Sequence, residues 1–339
     1  MTQALVVTGA GGVGKTTISA ALAVTAARQG LRTLVLTVDP AQRLTTALGI
    51  AISNEPEPHP DEPNLWVAML DATASWQEVV RRHADPEVTD RLIDNEFFIA
   101  ATSHFPASQS YAAAEEAATY LDAKAWDLVV VDTPPAAGGI DFFTAPAQMA
   151  DLVGGRLLRW LTGARLPGRR FIFNRTAKPM LRLADQVLGS NLLERIAEFF
   201  MDLRTTYDGV SKRARQIERY MRKAITVVVT TSDPAPMREA ARFFQALPEV
   251  ASPPRAVIFN RSLPEEWIGT EPPSGTKVAL AANLERWSQE AHRQRTARRE
   301  MGERYDTPIA TVPWQRHPPT DRDSLGQLIE SAHGLPDLW

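Results

Sequence analysis

One short segment near the N-terminus limits the folds open to this chain more than any other feature. Residues 9–16 read Gly-Ala-Gly-Gly-Val-Gly-Lys-Thr and match G-x-x-x-x-G-K-[ST] in full. The match lies between an apolar run at 4–8 and an Ala-rich helical segment at 16–29, which is the context this pattern requires. The sequence therefore predicts a phosphate-binding loop between a strand and a helix, the alternative being a chance Gly-rich turn.

Each residue type in this loop has its own physical task. Glycines let backbone N–H groups approach an anion without interference from Cβ, and the helix that starts near Thr16 points its positive end at the same place. Lys15 is predicted to neutralise charge on the β- and γ-phosphates and so to be catalytic, and the Thr16 hydroxyl is predicted to ligate Mg²⁺. The predicted nucleotide-binding residues of the loop are Gly11, Gly12, Val13, Gly14, Lys15, Thr16 and Thr17.

Two aspartates directly follow apolar runs that read as buried strands. Asp132 follows 128–131 and is predicted to hold Mg²⁺ through water, the alternative being an ordinary turn before Pro134. Asp39 follows 34–38 and is predicted to orient or deprotonate the attacking water as a catalytic residue, the alternative being an N-cap. Both carboxylates would stand at the same edge of the sheet as the loop.

The order of elements predicts an α/β fold with a doubly wound, mostly parallel sheet, because short β-branched runs alternate with longer helical segments. The alternation breaks between Asp132 and Ile225, where helical periodicity dominates. We therefore predict a P-loop ATPase domain at 1–140 and 225–339, with an inserted helical subdomain at 141–224. The predicted strands are 4–8, 33–38, 65–70, 128–131, 225–231, 256–259 and 309–312.

Composition excludes several classes of site and partner. The chain has no cysteine, so disulfides, thiolate zinc sites and cysteine-held iron–sulfur clusters are excluded. A net charge of −3 gives no reason to expect nucleic-acid binding. No apolar run is long enough to span a bilayer, so the sequence predicts a cytoplasmic protein that is not integral to a membrane and visits one, if at all, from the aqueous side.

Three motifs together resemble those of the ArsA-type ATPases: residues 9–17, Asp-Pro-Ala-Gln-Arg-Leu at 39–44, and Asp-Thr-Pro-Pro at 132–135. That family includes the arsenite-pump ATPase and the eukaryotic factor that delivers tail-anchored membrane proteins, and its actinobacterial members share the last motif. The resemblance implies a MinD/ParA-like sheet, ATP and Mg²⁺ as cofactors, ATP hydrolysis, and a dimer with two nucleotides facing each other across its interface. It also implies adenine contacts at Asn260 and Pro313, where a strand-end turn and a loop proline are the alternatives; Trp314 either stacks on the base or packs elsewhere.

The departures from the family pattern bear on activity and partners. Ala10 stands where the family normally has a lysine that reaches the other subunit's phosphates, so a homodimer would lack that cation in both sites. Slow hydrolysis, or a heterodimer with a lysine-bearing ATPase paralogue, would follow, and the retained Lys15 and Asp132 favour the paralogue. Gln42 replaces the family's usual histidine. Without cysteine, both arsenite-binding thiolates and a zinc-clamped dimer are ruled out.

The helical insert contains candidates for binding a hydrophobic or membrane-protein client. An apolar face is predicted from Met149, Leu152, Val153, Leu157, Trp160, Leu161, Ile196, Phe199, Phe200 and Leu203, although these residues could equally form the subdomain core. Eight basic residues with no acidic one lie between Gly155 and Arg182: Arg156, Arg159, Arg165, Arg169, Arg170, Arg175, Lys178 and Arg182. With Trp160 and Phe171 among them, they favour anionic lipid or an acidic partner, against a plain solvated helix.

Three functions remain open from sequence. The first is an ATP-driven conformational switch that captures and releases a hydrophobic client. The second is a P-loop kinase or ligase that transfers phosphate to a small metabolite, for which an Arg-rich lid would suit. The third is a non-catalytic nucleotide-binding subunit that regulates an active paralogue, and Ala10 is its main support.

Overall fold

The computed structural model describes residues 2–38, 43–104, 106–133, 140–154 and 192–339. Within these ranges eight strands form one sheet in the order β3-β4-β2-β5-β1-β6-β7-β8. All neighbours are parallel except the antiparallel β3–β4 pair, which confirms the predicted fold class. The strands are β1 Gln3–Gly9, β2 Thr33–Thr37, β3 Glu57–Pro58, β4 Leu65–Met69, β5 Leu128–Asp132, β6 Ile225–Thr230, β7 Ala256–Ser262 and β8 Ile309–Pro313.

All seven predicted strands are present, and the eighth, β3, was not predicted. It consists of two residues at the sheet edge, in an acidic, Pro-rich segment that reads as a surface loop. A proline is tolerated there because an edge strand leaves one side of its backbone unpaired. The helices in the described residues are α1 Lys15–Arg28, α2 Arg43–Leu48, α3 Ala72–His83, α4 Pro86–Ile93, α5 Glu96–His104, α6 Pro106–Ala123, α7 Asp141–Gly154, α8 Leu192–Leu203, α9 Tyr207–Lys223, α10 Pro234–Ala246, α11 Val278–Tyr305 and α12 Arg322–Glu330.

The core around the first helix explains why the phosphate-binding segment is held firmly. Strands β1 and β5 are buried along almost their whole length, as expected for central parallel strands covered on both faces. Helix α1 is apolar on nearly all sides and packs against β2, β5, α2 and α12. Its small alanines, Ala20, Ala21 and Ala23, are fully buried and allow close approach of these neighbours. The helix that begins at the loop is thus a core element.

The chain forms two compact units. The first comprises Met1–Leu70, Ala117–Phe143 and Tyr220–Trp339 and carries the whole sheet; the second comprises Asp71–Glu116 and Thr144–Arg219 and is helical in its described part. We call them the sheet unit and the helical unit. The predicted assignment of 141–224 to a client-binding subdomain stays a prediction. No helix in the described ranges combines the length and apolar character that crossing a bilayer demands.

Part of the predicted apolar face falls within the described residues. Phe199 is buried, and its ring centroid lies 6.0 Å from that of Phe97 and 5.4 Å from that of Phe200, so it belongs to a packed contact between α5 and α8. Met149, Ile196, Phe200 and Leu203 are half-buried. Outside the described residues lie Leu157, Trp160, Leu161, Phe171 and the eight basic residues at 156–182, as do the side chains of Leu152 and Val153.

Candidate nucleotide-binding site

The predicted phosphate loop connects the end of β1 to the start of α1, and two of its glycines are required by close contacts. A Cβ on Gly9 would lie 2.0 Å from the carbonyl oxygen of Val229 on β6. Gly14 has a φ of 94°, and a Cβ there would lie 2.3 Å from Nδ2 of Asn260. At Gly9 any other residue would require a shift of the backbone, and at Gly14 it would require a strained positive φ and displacement of the Asn260 side chain. Nothing lies near the corresponding points of Gly11 and Gly12, which are exposed.

The side chain of Lys15 lies against the backbone of the phosphate loop. Lys15 is the first residue of α1 and only 7% exposed, and its ammonium donates a hydrogen bond of 2.9 Å to the carbonyl of Ala10. The ammonium is thereby held beside the loop backbone, where an anion cradled by the loop would meet it. Thr16 and Thr17 are half-buried in the same first turn of the helix. The predicted phosphate-binding residues are thus brought together on one short segment.

Asp132 ends β5 and is tied to both neighbouring elements. Its side chain is about 1% exposed; its Oδ2 accepts a hydrogen bond of 3.0 Å from the Thr37 hydroxyl, and its Oδ1 accepts one of 3.4 Å from Ser19. Thr37 ends β2 and is its register partner, while Ser19 lies one turn after Thr16 on α1. The carboxylate is therefore linked directly to the helix that begins at the phosphate loop.

Sequence reasoning missed Ser19 and Thr37, although each stands in a position that could have been flagged. Thr37 is a hydroxyl residue two positions before Asp39, directly after the apolar run at 34–36, and Ser19 is three residues after Thr16 on an Ala-rich helix. A buried polar side chain in such surroundings requires a partner. Asp39 and Gln42 lie outside the described residues, so the role of Asp39 stays a prediction.

Asn260 holds the phosphate loop from β7, which lies two strands from β1 in the sheet. It lies in β7, is buried, and its amide Nδ2 donates a hydrogen bond of 2.9 Å to the carbonyl of Val13. Its Oδ1 accepts a bond from the backbone N–H of Arg261, which has a positive φ of 56°. The amide thus holds the loop in shape, whatever else it contacts. Pro313 ends β8, half-buried, and the adenine contacts predicted for Asn260 and Pro313 stay predictions.

The residues at this site fit a Mg²⁺-bound nucleoside triphosphate. The fit rests on the exposed glycine backbone beside the buried ammonium of Lys15, with a buried carboxylate anchored to the same helix. Among the described residues no three His, Cys, Asp or Glu side chains cluster as a protein-built metal site. Mg²⁺ is commonly held by one or two protein groups together with phosphates and water.

Comparison with known proteins agrees with this arrangement. Residues 2–313 match the family model of the anion-transporting ATPases. An uncharacterized protein of Streptomyces coelicolor is 31% identical over 291 residues, covering 84% of this chain and 69% of that protein. An ATPase ASNA1 homolog of Entamoeba dispar is 24% identical over 270 residues, 76% of this chain and 75% of the relative.

A putative arsenical pump-driving ATPase of Halobacterium salinarum is 32% identical over 157 residues, which is 43% of this chain and only 24% of that protein. Because the matched part spans so little of that relative, its activity as a whole does not transfer directly. The family model nevertheless spans the loop, both buried polar links to Asp132 and the strand that carries Asn260. The chain belongs to the anion-transporting (ArsA-type) ATPase family.

Proposed function

We propose that this chain binds Mg·ATP in the phosphate loop and hydrolyses it to ADP and phosphate, and that the cycle drives binding and release of a hydrophobic or membrane-protein client. One observation carries the nucleotide part of the proposal. The buried carboxylate of Asp132 is hydrogen-bonded to Ser19 on the helix that Lys15 begins. The carboxylate proposed for the metal, at the end of β5, is therefore hydrogen-bonded to the helix that carries the groups proposed for the phosphates.

In this proposal the phosphates, the metal ion, the attacking water and the adenine are each bound by different residues. Backbone N–H groups of 11–14 bind phosphate oxygens, and the Lys15 ammonium exchanges the carbonyl of Ala10 for the β- and γ-phosphates. The Thr16 hydroxyl and, through water, Asp132 would hold Mg²⁺, and the bound ion would neutralise charge on the phosphates. Asp39 orients the attacking water. Asn260 keeps the loop in its cradle shape and, with Pro313, contacts the adenine.

The neighbourhood of Ala10 supports a dimer with a lysine-bearing ATPase paralogue. The Ala10 side chain is only 5% exposed and packs in the apolar core, and its carbonyl is used by Lys15. The loop therefore offers no cation at this position to a second nucleotide. A paralogue would supply that lysine in trans. The same observation favours the second candidate, a non-catalytic nucleotide-binding subunit that regulates an active ATPase.

Phosphate release tells these two candidates apart. Proteins that co-purify with the native chain are identified first, and the purified chain is then assayed alone and after mixing with any lysine-bearing ATPase paralogue found among them. We expect slow turnover alone and a rise in the mixture that falls when Lys15→Ala is introduced in this chain. If Lys15→Ala in this chain leaves the turnover of the mixture unchanged, the result would favour the second candidate, a non-catalytic regulatory subunit. Phosphate release by the chain alone that is fast and unaltered by Ala10→Lys would contradict the need for a partner.

The proposed client and membrane contacts lie in the predicted subdomain at 141–224. The apolar side chains predicted there and the basic stretch at 156–182 would suit a peripheral protein of the cytoplasm that meets a client at an anionic membrane. Co-sedimentation with vesicles tests the membrane part, with binding expected to rise with anionic lipid and fall with salt. Binding that is indifferent to both would contradict it. Arsenite is not proposed as a ligand because the chain has no cysteine.

A further inference from the structure

A pocket of about 670 Å³ lies in the sheet unit, outside the phosphate loop. Its described lining is mainly one face of α10, with Ala235, Arg238, Arg242 and Ala246, together with Ile140 just before α7. Ligand sites for small molecules typically have volumes on the order of 300–1,000 Å³. The pocket is therefore of a size that a small organic molecule can fill.

Two cations stand together on its wall. Arg238 and Arg242 are one helical turn apart, both side chains are exposed, and neither makes an ion pair or hydrogen bond with another residue in the described part of the chain. Side chains four residues apart on a helix point the same way, so both guanidinium groups can reach one anion. Glu239 also lines the pocket; it is half-buried and already has a bonding or electrostatic partner. With two arginines and one glutamate, the described lining residues carry a net positive charge that can attract an anionic ligand.

The floor of the pocket is apolar and firmly packed. Phe243 is 2% exposed, and its ring centroid lies 6.0 Å from that of Phe143, which in turn makes an edge-to-face contact with Phe142. Ile140 and Ala246 are half-buried beside it. A hydrated inorganic ion would leave this apolar surface in contact with water. A ligand that carries carbon beside its charge would cover it.

We propose that this pocket binds a small organic anion, in which a carboxylate or phosphate group is joined to an apolar body. Arg238 and Arg242 bind the anionic group through charge-assisted hydrogen bonds, and the apolar body lies on Phe243, Ile140 and Ala246. The site is separate from the phosphate loop and shares no residue with it. It would give the protein a second ligand besides its nucleotide.

A saturation-transfer NMR titration with sodium octanoate tests this site on the nucleotide-free full chain. We expect saturable binding that weakens with added salt, and roughly tenfold weaker binding by the double variant Arg238→Gln/Arg242→Gln, because the two charge contacts that it loses are solvent-exposed and screened. The matched control is Arg295→Gln/Arg299→Gln, because these two arginines are also exposed and one turn apart but lie on α11. Its affinity for octanoate is expected to equal that of the wild type.

Further arms locate the ligand and define its chemistry. Ala235→Trp keeps both arginines but fills the pocket from an exposed position, so octanoate binding should be lost; Lys15→Ala, in the phosphate loop, should leave it unchanged. Octan-1-ol lacks the anionic group and inorganic phosphate lacks the apolar body, so each should bind more weakly than octanoate. Octanoate binding that survives loss of both arginines, or depends on Lys15, would overturn the proposal. So would tighter binding of the acidic peptide Glu-Glu-Leu-Phe, which would assign the site to a protein partner.

Discussion

The sheet unit and the helical unit each bury a carboxylate at a junction of several elements, but they surround it with different groups. In the sheet unit, Asp132 accepts hydrogen bonds from the hydroxyls of Thr37 and Ser19. In the helical unit, Glu115 on α6 is 3% exposed; both its oxygens lie 2.9 Å from Nε of Arg213 on α9, and its Oε1 lies 3.2 Å from Nη1 of Arg82 on α3.

The difference indicates different tasks for the two carboxylates. Two guanidinium groups neutralise Glu115 and fix the positions of three helices, which is a structural use of a buried charge. In the described bonds Asp132 accepts from neutral hydroxyl groups, which orient a carboxylate without supplying a positive charge, and we expect it to help hold a hydrated cation beside the phosphate loop. We therefore expect changes at Glu115 to act mainly on stability, and changes at Asp132 to act mainly on the nucleotide reaction.

The largest effect is expected at Glu115. Glu115→Gln leaves the buried guanidinium of Arg213 beside a neutral group, while Arg82 reaches the same position from the surface, and breaking a buried pair in this way costs about 3–5 kcal/mol of unfolding free energy. Urea unfolding followed by circular dichroism measures it. The control is Glu78→Gln, which removes an exposed partner of the same Arg82 and should cost less than about 1 kcal/mol. Equal losses of unfolding free energy in the two variants would contradict a larger contribution of the buried cluster to stability.

A smaller effect, on turnover, is expected at Asp132. Asp132→Asn keeps one acceptor oxygen, and its NH2 group can donate to the other hydroxyl, but it removes the charge that would hold hydrated Mg²⁺, so phosphate release in the assembled complex should fall roughly 10–100-fold. The urea midpoint should change less than in Glu115→Gln. Unchanged turnover together with a large loss of stability would reverse the contrast between the two carboxylates. Steady-state phosphate release at saturating ATP is the measurement.

The smallest effect is a pH dependence in the helical unit. Burial lowers the pKa of His83, with Glu115 opposing and Arg82 and Arg213 reinforcing that shift, and Gly209 of α9 lies against the ring. Because the native state then binds fewer protons than the unfolded chain, this histidine makes the unfolding free energy decrease as the pH falls below about 6.5. Urea midpoints measured over a pH series should decline less steeply in His83→Gln. An identical decline in both proteins would exclude His83 as its source.

Sequence reasoning succeeded where the determinants are local. The segment from β1 through the loop to α1 and the central strands are each specified by a few adjacent residues and are present in the structure, while the roles of the loop residues and of Asp132 stay predictions. It could not find the bond from Asn260 to Val13 or the pair of Arg213 with Glu115, which join residues 247 and 98 positions apart. In a single sequence, nothing local marks such partners. The edge strand β3 was missed because two residues with a proline carry no periodicity.

The most direct test of the central claim is equilibrium binding of Mg·ATP to the purified chain, measured by calorimetric titration for wild type and Lys15→Met. Loss of a buried ammonium that bonds the phosphates should weaken binding roughly 10–100-fold, because hydrogen bonds to charged groups contribute about 1.5–3 kcal/mol each. Lys277→Met, at an exposed lysine before α11, is the matched control and should bind as the wild type does. Equal affinity in all three proteins, or no saturable binding to the wild type, would contradict the assignment of the loop as the nucleotide site.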